Sequence, residues 1–94
     1  MLRSDASPAP DPAVLLLGAL AWVCADERRA DRLLALTGLT ADELRRRAGE
    51  PAILGAVGGF LADHEPDLIA CADSLGCAPS ALIHAAHRLT GETP

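Results

Sequence analysis

From residue 11 onward, blocks of apolar residues separated by short polar breaks predict a series of short helices. Within each block the apolar positions recur every three or four residues, as on one face of an α-helix, and no block alternates every second residue as a half-buried strand does. The breaks carry capping side chains or prolines before a block and glycines after it, which are typical helix starts and stops. We therefore predict an all-α fold, a compact orthogonal bundle of five or six short helices.

The clearest helix start is at Thr40 and Glu43, which form a capping box in which each side chain bonds to the other residue's backbone N–H. Residues 1–10 contain prolines and no apolar period, so we predict a disordered N-terminal tail there and a single helical domain over residues 11–91. The predicted starts or caps are Pro12, Asp26, Thr40, Pro51, Glu65 and Pro79, and the predicted ends are Ala25, Gly38, Gly49, Asp63, Gly76 and Gly91.

The composition also favours helices over strands. Half of the residues are apolar, yet the chain has one Trp, one Phe and no Tyr, so Leu, Ala, Val and Ile must build the core. Leu and Ala are good helix formers, whereas strands are rich in aromatic and β-branched residues.

Residues 36–61 have the outline of a helix-turn-helix, which raises the question of DNA binding. The second helix of that unit, residues 51–63, contains no Lys, Arg, Asn, Gln, Ser or Thr, so it has no side chain that donates a hydrogen bond to bases or phosphates. The net charge of −5 also opposes nucleic-acid binding. We predict that this unit packs and does not read DNA.

The arginines of helices two and three, above all Arg45, Arg46 and Arg47, leave weak nucleic-acid binding as the alternative function. Asp42 with Arg46 and Glu43 with Arg47 are acid-first pairs four residues apart, which stabilise an exposed helix. We expect these ion pairs rather than a nucleic-acid site.

Metal binding and catalysis have little support in the sequence. Cys71, Cys77 and His84 are the candidate zinc ligands, but five residues separate the two cysteines, and structural zinc sites prefer two to four. In the polar cluster at residues 63–67, Glu65 and Asp67 are explained by capping helix five and offsetting its dipole. No nucleophile lies beside a base in a recognisable pattern. We expect no metal, no cofactor and no enzymatic activity.

The cysteines and the uncharged stretch Ala13–Ala25 bear on the compartment. An odd number of cysteines, three, does not suggest a secreted disulfide framework, so we predict small buried thiols in a reducing compartment. The stretch Ala13–Ala25 is shorter than the roughly 20 residues that span a bilayer, and acids and prolines precede it rather than a basic leader. We predict a cytoplasmic protein without a membrane partner, in which helix one is buried on nearly all sides.

Helix four contains Gly55, Gly58 and Gly59, although each glycine costs about 0.5–1 kcal/mol relative to Ala inside a helix. Gly55 and Gly59 predict a smooth stripe on which another backbone lies closely, either helix one or five of the same chain or a helix of a partner. With Trp22 and Phe60 they form a candidate interaction surface around helices one and four. The alternative is that Trp22 and Phe60 lie in the core.

Three stretches resemble domain-of-unknown-function family 3572, a set of short proteins found mainly in alphaproteobacteria. They are Leu20–Trp22, Arg32–Gly49 and Phe60–Ala72, and their most specific motifs are "LALTGL" and "HEP". The likeness extends over about Pro12–Leu89. The resemblance implies an all-α cytoplasmic protein without an assigned activity, so no catalytic residues follow from it.

These observations lead to one expected function and one alternative. We expect a small cytoplasmic helical protein that binds an unidentified protein partner, or a second copy of itself, through an apolar surface around helices one and four. Weak nucleic-acid binding through the arginine patch is the alternative.

Overall fold

The computed structural model describes residues 11–91, and this part of the chain folds into six α-helices without a strand. The predicted all-α bundle is confirmed. The predicted tail at residues 1–10 lies outside the described residues. The helices are α1 (Pro12–Cys24), α2 (Glu27–Thr37), α3 (Ala41–Arg47), α4 (Pro51–Ala62), α5 (Glu65–Leu75) and α6 (Pro79–Thr90).

Local hydrogen bonds explain where the helices begin. The Asp11 carboxylate accepts a 2.8 Å hydrogen bond from the backbone N–H of Ala13 at the start of α1. At the start of α3, the N–H of Glu43 donates to the Thr40 hydroxyl at 3.0 Å and the N–H of Thr40 donates to the Glu43 carboxylate at 2.9 Å. The predicted capping box is therefore present.

The start of α5 differs from its prediction. Glu65 was expected to cap this helix, but His64 occupies the N-cap position and neither side chain makes a capping hydrogen bond. Glu65 and Asp67 do lie in the first turn, as expected, where their negative charges offset the positive end of the helix dipole.

Helices α1 and α4 pack against each other, and each of them also packs against α2, α5 and α6. Consecutive helices α5 and α6 meet at 96°, which gives the bundle its orthogonal character. All of the buried side chains among the described residues are apolar. The largest that are fully buried are Leu16, Val23, Leu33, Leu54, Val57, Leu61, Cys71 and Leu82.

Two glycines of α4 allow α6 to approach closely. A Cβ atom at Gly55 would lie 2.5 Å from the Thr90 methyl group, and one at Gly58 would overlap the Cβ of Ala86. The predicted stripe of Gly55 and Gly59 under helix one or five is therefore wrong. The helix that lies there is α6, over Gly55 and Gly58, whereas a Cβ atom at Gly59 would have no other atom within 4 Å.

Helix α1 is buried on one side only, contrary to the prediction that it is enclosed on nearly all sides. Leu16, Ala19, Leu20 and Val23 form its buried face, whereas Val14 is 64% and Leu17 is 40% exposed. A helix that is apolar all round has no polar side, so its sequence does not indicate which face meets solvent. Among residues 11–91 no single helix has the length and hydropathy needed to cross a bilayer. Helices α5 and α6 have them only when taken together, and the two helices are bent by 96° where they join.

The three cysteines occupy different environments. Cys71 is fully buried, Cys77 is half-buried and Cys24 is exposed, so the prediction of buried thiols is wrong for Cys24. Burial, with a smaller contribution from the charge of Cys77, raises the pKa of the Cys71 thiol to about 11. Cys71 is therefore a small apolar core residue at neutral pH.

Replacing Gly58 and Gly59 separately with Ala should change stability in opposite directions. Gly59→Ala should raise the free energy of unfolding by about 0.5–1 kcal/mol, because the methyl group meets open space and Ala favours the helix. Gly58→Ala should lower it by about 1 kcal/mol or more, because the new methyl group overlaps Ala86 and α6 must move. Urea unfolding followed by the fluorescence of Trp22, the single tryptophan, measures both. A stabilising Gly58→Ala would contradict the close approach of α6.

The free energy of unfolding should fall as the pH rises from about 9 to about 11. In this window the folded protein keeps the Cys71 proton and the unfolded chain loses it, so the unfolded state binds fewer protons and is favoured by higher pH. The chain has no Lys and no Tyr, which leaves the cysteines as the side chains that titrate there.

Urea midpoints measured at several pH values between 8.5 and 11 test this pH dependence. Cys71→Ala should remove most of the slope, whereas Cys24→Ala, at an exposed thiol, should remove little of it. Equal slopes in the original protein and in Cys71→Ala would show that the buried thiol is not the cause.

Candidate functional site

An apolar groove of about 420 Å³ runs between the C-terminal half of α2 and one side of α4. Leu36 forms its rim on α2, and Phe60 and Gly59 lie on the α4 side. Leu36 is 61% exposed, whereas Phe60 is only 7% exposed. The complete lining is Leu36, Thr37, Leu39, Arg47, Ile53, Ala56, Gly59, Phe60 and Asp63.

The turn between α2 and α3 shapes one end of this groove. Gly38 ends α2 in the left-handed conformation, with φ of 74°, and its N–H donates to the carbonyl of Leu34 at 2.8 Å. The Thr37 hydroxyl donates to the carbonyl of Leu33 at 2.9 Å. Leu39 then packs against the core, and it lines the groove together with Thr37. The position of Leu36 is fixed by these bonds immediately after it.

Charged side chains close the other end of the groove. Arg32 of α2 and Asp67 of α5 form an ion pair with an Nη2–Oδ2 distance of 2.7 Å, and His64 Nδ1 lies 3.1 Å from the same carboxylate oxygen. The Arg32 guanidinium also lies over the Phe60 ring, 5.3 Å from its centroid. A second depression, lined by Arg32, Leu36, Phe60, Asp63 and His64, continues the groove to this cluster.

Asp63 is the charged rim residue that remains unpaired within the described part of the chain. It lines both the groove and the depression that continues it, yet it makes no ion pair with any side chain in residues 11–91. Arg47, at the opposite end, is paired with Glu50 at 3.0 Å. The groove therefore offers apolar surface together with one negative charge, an arrangement suited to binding.

The four residues of the predicted interaction surface do not meet at one place. Phe60 and Gly59 line the groove, while Gly55 lies beneath α6. Trp22, on α1, is not among the residues that line the groove or the depression that continues it. Phe60 is part of the buried core as well, and Trp22 is half-buried at its edge.

Trp22 has a partner within its own chain. The Arg29 guanidinium stacks on the Trp22 ring at 3.6 Å from the centroid, and its Nη2 donates to the Trp22 carbonyl at 3.1 Å. The N–H of Arg29 also donates to the Asp26 carboxylate at 3.1 Å, and this bond lowers the pKa of Asp26. Trp22 and Arg29 thus hold the turn between α1 and α2 together.

The arginine patch of α3 is matched by carboxylates. Arg45 and Arg46 lie 3.4 Å and 3.7 Å from the two oxygens of Asp42, which confirms the predicted pair of Asp42 with Arg46. The predicted pair of Glu43 with Arg47 is wrong, since Arg47 reaches Glu50. Glu43 is held by its bond from the Thr40 N–H, which also lowers the pKa of Glu43. Because every arginine here has an acidic neighbour, the geometry does not favour phosphate binding.

The zinc alternative at Cys71, Cys77 and His84 gains no support from the geometry. Cys71 is fully buried, whereas His84 is exposed on α6. Within residues 11–91, no three His, Cys, Asp or Glu side chains are grouped closely enough to hold a metal ion. Nothing in the groove itself combines a thiol or serine hydroxyl with a base.

Leu36 is the groove residue that the sequence reasoning missed. The apolar period of α2 places Ala30, Leu33, Leu34 and Thr37 on one face, and at 100° per residue Leu36 falls outside that face. A large apolar side chain on the polar side of an amphipathic helix is the signal that identifies it.

Residues 9–92 of this chain match the model of DUF3572, a family of proteins of unknown function. Comparison with curated proteins and with solved structures finds no match. The matched residues include all six helices and the whole groove, so the resemblance based on the "LALTGL" and "HEP" motifs is confirmed. Because the match covers nearly the whole chain, the chain belongs to the DUF3572 family of proteins of unknown function.

Proposed function

We propose that this protein is a non-catalytic binding module of the cytoplasm, and that the groove between α2 and α4 holds an apolar helical segment of a partner protein. The observation that carries the proposal is Leu36, a large apolar side chain that is 61% exposed at the rim of an apolar groove. Together with Phe60 and Gly59 it offers a partner a continuous apolar contact.

The exposure of Leu36 leaves free energy available for binding. Complete burial of a Leu side chain contributes about 1.5–3 kcal/mol, and more than half of the Leu36 surface is still in water. A partner that covers Leu36 would gain this without disturbing the core. The groove is open along its length, which suits a helix laid into it with its apolar side chains facing Leu36 and Phe60.

The negative charge at the groove favours a partner segment that carries basic residues. Asp63 lies on the rim without an ion pair among residues 11–91, and α4 and α5 contain no basic residue. The whole chain has a net charge of −5. A partner segment with Lys or Arg beside its apolar face complements this surface, and the attraction would speed its association at low salt.

Replacing Leu36 with Glu should abolish partner binding and leave the fold intact. Because Leu36 is exposed, we expect the free energy of unfolding to change by less than about 0.5 kcal/mol. The matched control is Ile69→Glu, since Ile69 of α5 is also apolar and 52% exposed but does not line the groove. The tagged protein and both variants are used to capture partners from the cells that make it, and the captured proteins are compared by quantitative mass spectrometry.

The proposal requires a protein that is retained by the original chain and by Ile69→Glu but lost with Leu36→Glu. Its binding segment, mapped with synthetic peptides, should be helical, apolar and flanked by Lys or Arg. Asp63→Asn should weaken peptide binding and reduce its dependence on salt. Equal capture by Leu36→Glu, an acidic binding segment, or no retained protein at all would each count against the groove.

A further inference from the structure

Residues 1–10, which precede α1, join an apolar and basic tip to a spacer that contains prolines. The tip consists of Met1, Leu2 and Arg3, and Arg3 is the one basic residue of the segment. The one acid, Asp5, lies in the spacer, where prolines stand at positions 8 and 10. Prolines favour the extended polyproline conformation, so the sequence predicts a spacer of about 3.1 Å per residue between the tip and the start of α1.

The chemistry of this tip complements the groove between α2 and α4. Leu36 and Phe60 offer apolar contact there, and Asp63 on the rim makes no ion pair with any side chain in residues 11–91. An occupant with apolar side chains followed by a basic one satisfies both features, because it covers Leu36 while its charge reaches Asp63. The tip has this order, with two apolar side chains immediately before an arginine.

The spacer is long enough to bring the tip to the groove. Leu16 of α1 lies against α4 at Gly58, where its Cδ2 would be 3.9 Å from an added Cβ atom. Ala56 and Phe60 line the groove and stand two residues on either side of Gly58, so the groove is on the far side of α4, a helix about 10 Å across. Pro12 is about 6 Å from Leu16 along α1, so the tip must bridge roughly 20–25 Å. The ten residues before Pro12 span roughly 31 Å when extended.

Two other exposed apolar surfaces fit the tip less well. The uncovered side of α1, with Val14 and Leu17, belongs to a helix that has no charged residue with which the arginine could pair. The surface of α5 around Ile69 is acidic, but Ile69 is its one large apolar side chain. The groove combines a carboxylate with several large apolar side chains, and it is therefore the favoured site.

Attachment to the same chain lets a weak contact occupy the groove. A short linker holds its end at an effective concentration in the millimolar range, so an intrinsic dissociation constant of about 1 mM corresponds to an occupancy of about one half. A site that is half occupied binds a competitor about twofold more weakly, because only the unoccupied fraction is competent. The tip can therefore compete with a partner segment although its own contact is small.

We propose that Met1, Leu2 and Arg3 dock reversibly in the groove between α2 and α4 and compete there with partner segments. Leu2 covers the exposed side of Leu36, and Arg3 pairs with Asp63. The docking depends only on the groove and on this tip, whereas the competition rests on the proposed function. Apolar segments that bind weakly are thus kept out of the groove, and a strong partner displaces the tip.

Amide NMR spectra of the full chain, labelled with nitrogen-15, test the docking without a partner. Leu2→Glu removes the apolar contact and adds a charge that the acidic rim repels. The tip should therefore leave the groove, and the amide signals of Leu36 and Gly59, which line it, should shift. Ala6→Glu is the matched control, because it adds the same charge to the spacer and should leave those signals in place.

A synthetic peptide of residues 1–7 supplies the second arm of this test. Added at millimolar concentration to Leu2→Glu, the peptide should move the groove signals back towards their original positions, and the same peptide with Leu2→Glu should not. Unshifted groove signals in Leu2→Glu, equal shifts in Ala6→Glu, or a peptide without effect would each overturn the docking. Shifts at Leu17 or Ile69 in place of the groove would put the tip on another surface and overturn it too.

The competition is measured with the partner segment that the capture experiment identifies. Leu2→Glu should bind that segment about twofold more tightly than the original chain does, because the tip no longer occupies the groove. Equal affinities would overturn the competition. A captured partner without groove shifts supports the proposed function and overturns the docking, whereas groove shifts without a captured partner support the docking and count against the proposed function.

Discussion

The close approach of α4 and α6 at Gly55 and Gly58 is the contact on which the positions of the other helices depend. Helix α4 also packs against α1, α2 and α5, and α6 also packs against α1 and α5, so a change in the distance between α4 and α6 would disturb most of the other contacts between helices. Each glycine weakens α4 as a helix by about 0.5–1 kcal/mol, and the packing of Ala86 and Thr90 against the bare backbone offsets that cost. The absence of side chains at Gly55 and Gly58 therefore allows α4 and α6 to pack closely in the apolar core.

Helix boundaries were largely predictable from the sequence, whereas contacts between helices were not. Caps, prolines and left-handed glycines act within a few residues, so Thr40 with Glu43, Gly38 and Gly76 indicate starts and ends without knowledge of the rest of the chain. The helix that covers Gly55 depends on residues more than 30 positions away, in α6. The exposed face of α1 was also unpredictable, because an all-apolar helix has no contrast between its sides.

The candidate site was predicted in part. Phe60 and Gly59 were singled out by residue type and do line the groove, but Trp22 is engaged by Arg29 and Gly55 by α6. Aromatic identity alone does not separate an interface residue from one that holds a turn together. Leu36 was identifiable in principle from its position on the polar side of α2. Arg47 pairs with Glu50 and not with Glu43, because the Glu43 carboxylate already accepts the capping bond from the Thr40 N–H. The spacing of the residues along the chain does not reveal this competition.

The packing of α1 against α6 has a consequence for synthesis on the ribosome. Helix α1 ends at Cys24 and α6 ends at Thr90, so 66 residues are added before the last helix can cover the first. At roughly 5–20 residues per second, the apolar side of α1 stays without its α6 partner for about 3 to 13 s, and that of α4, which ends at Ala62, for about 1 to 6 s. Between the completion of α4 and that of α6, the nascent chain therefore presents two uncharged helices whose packing partner has not yet been made.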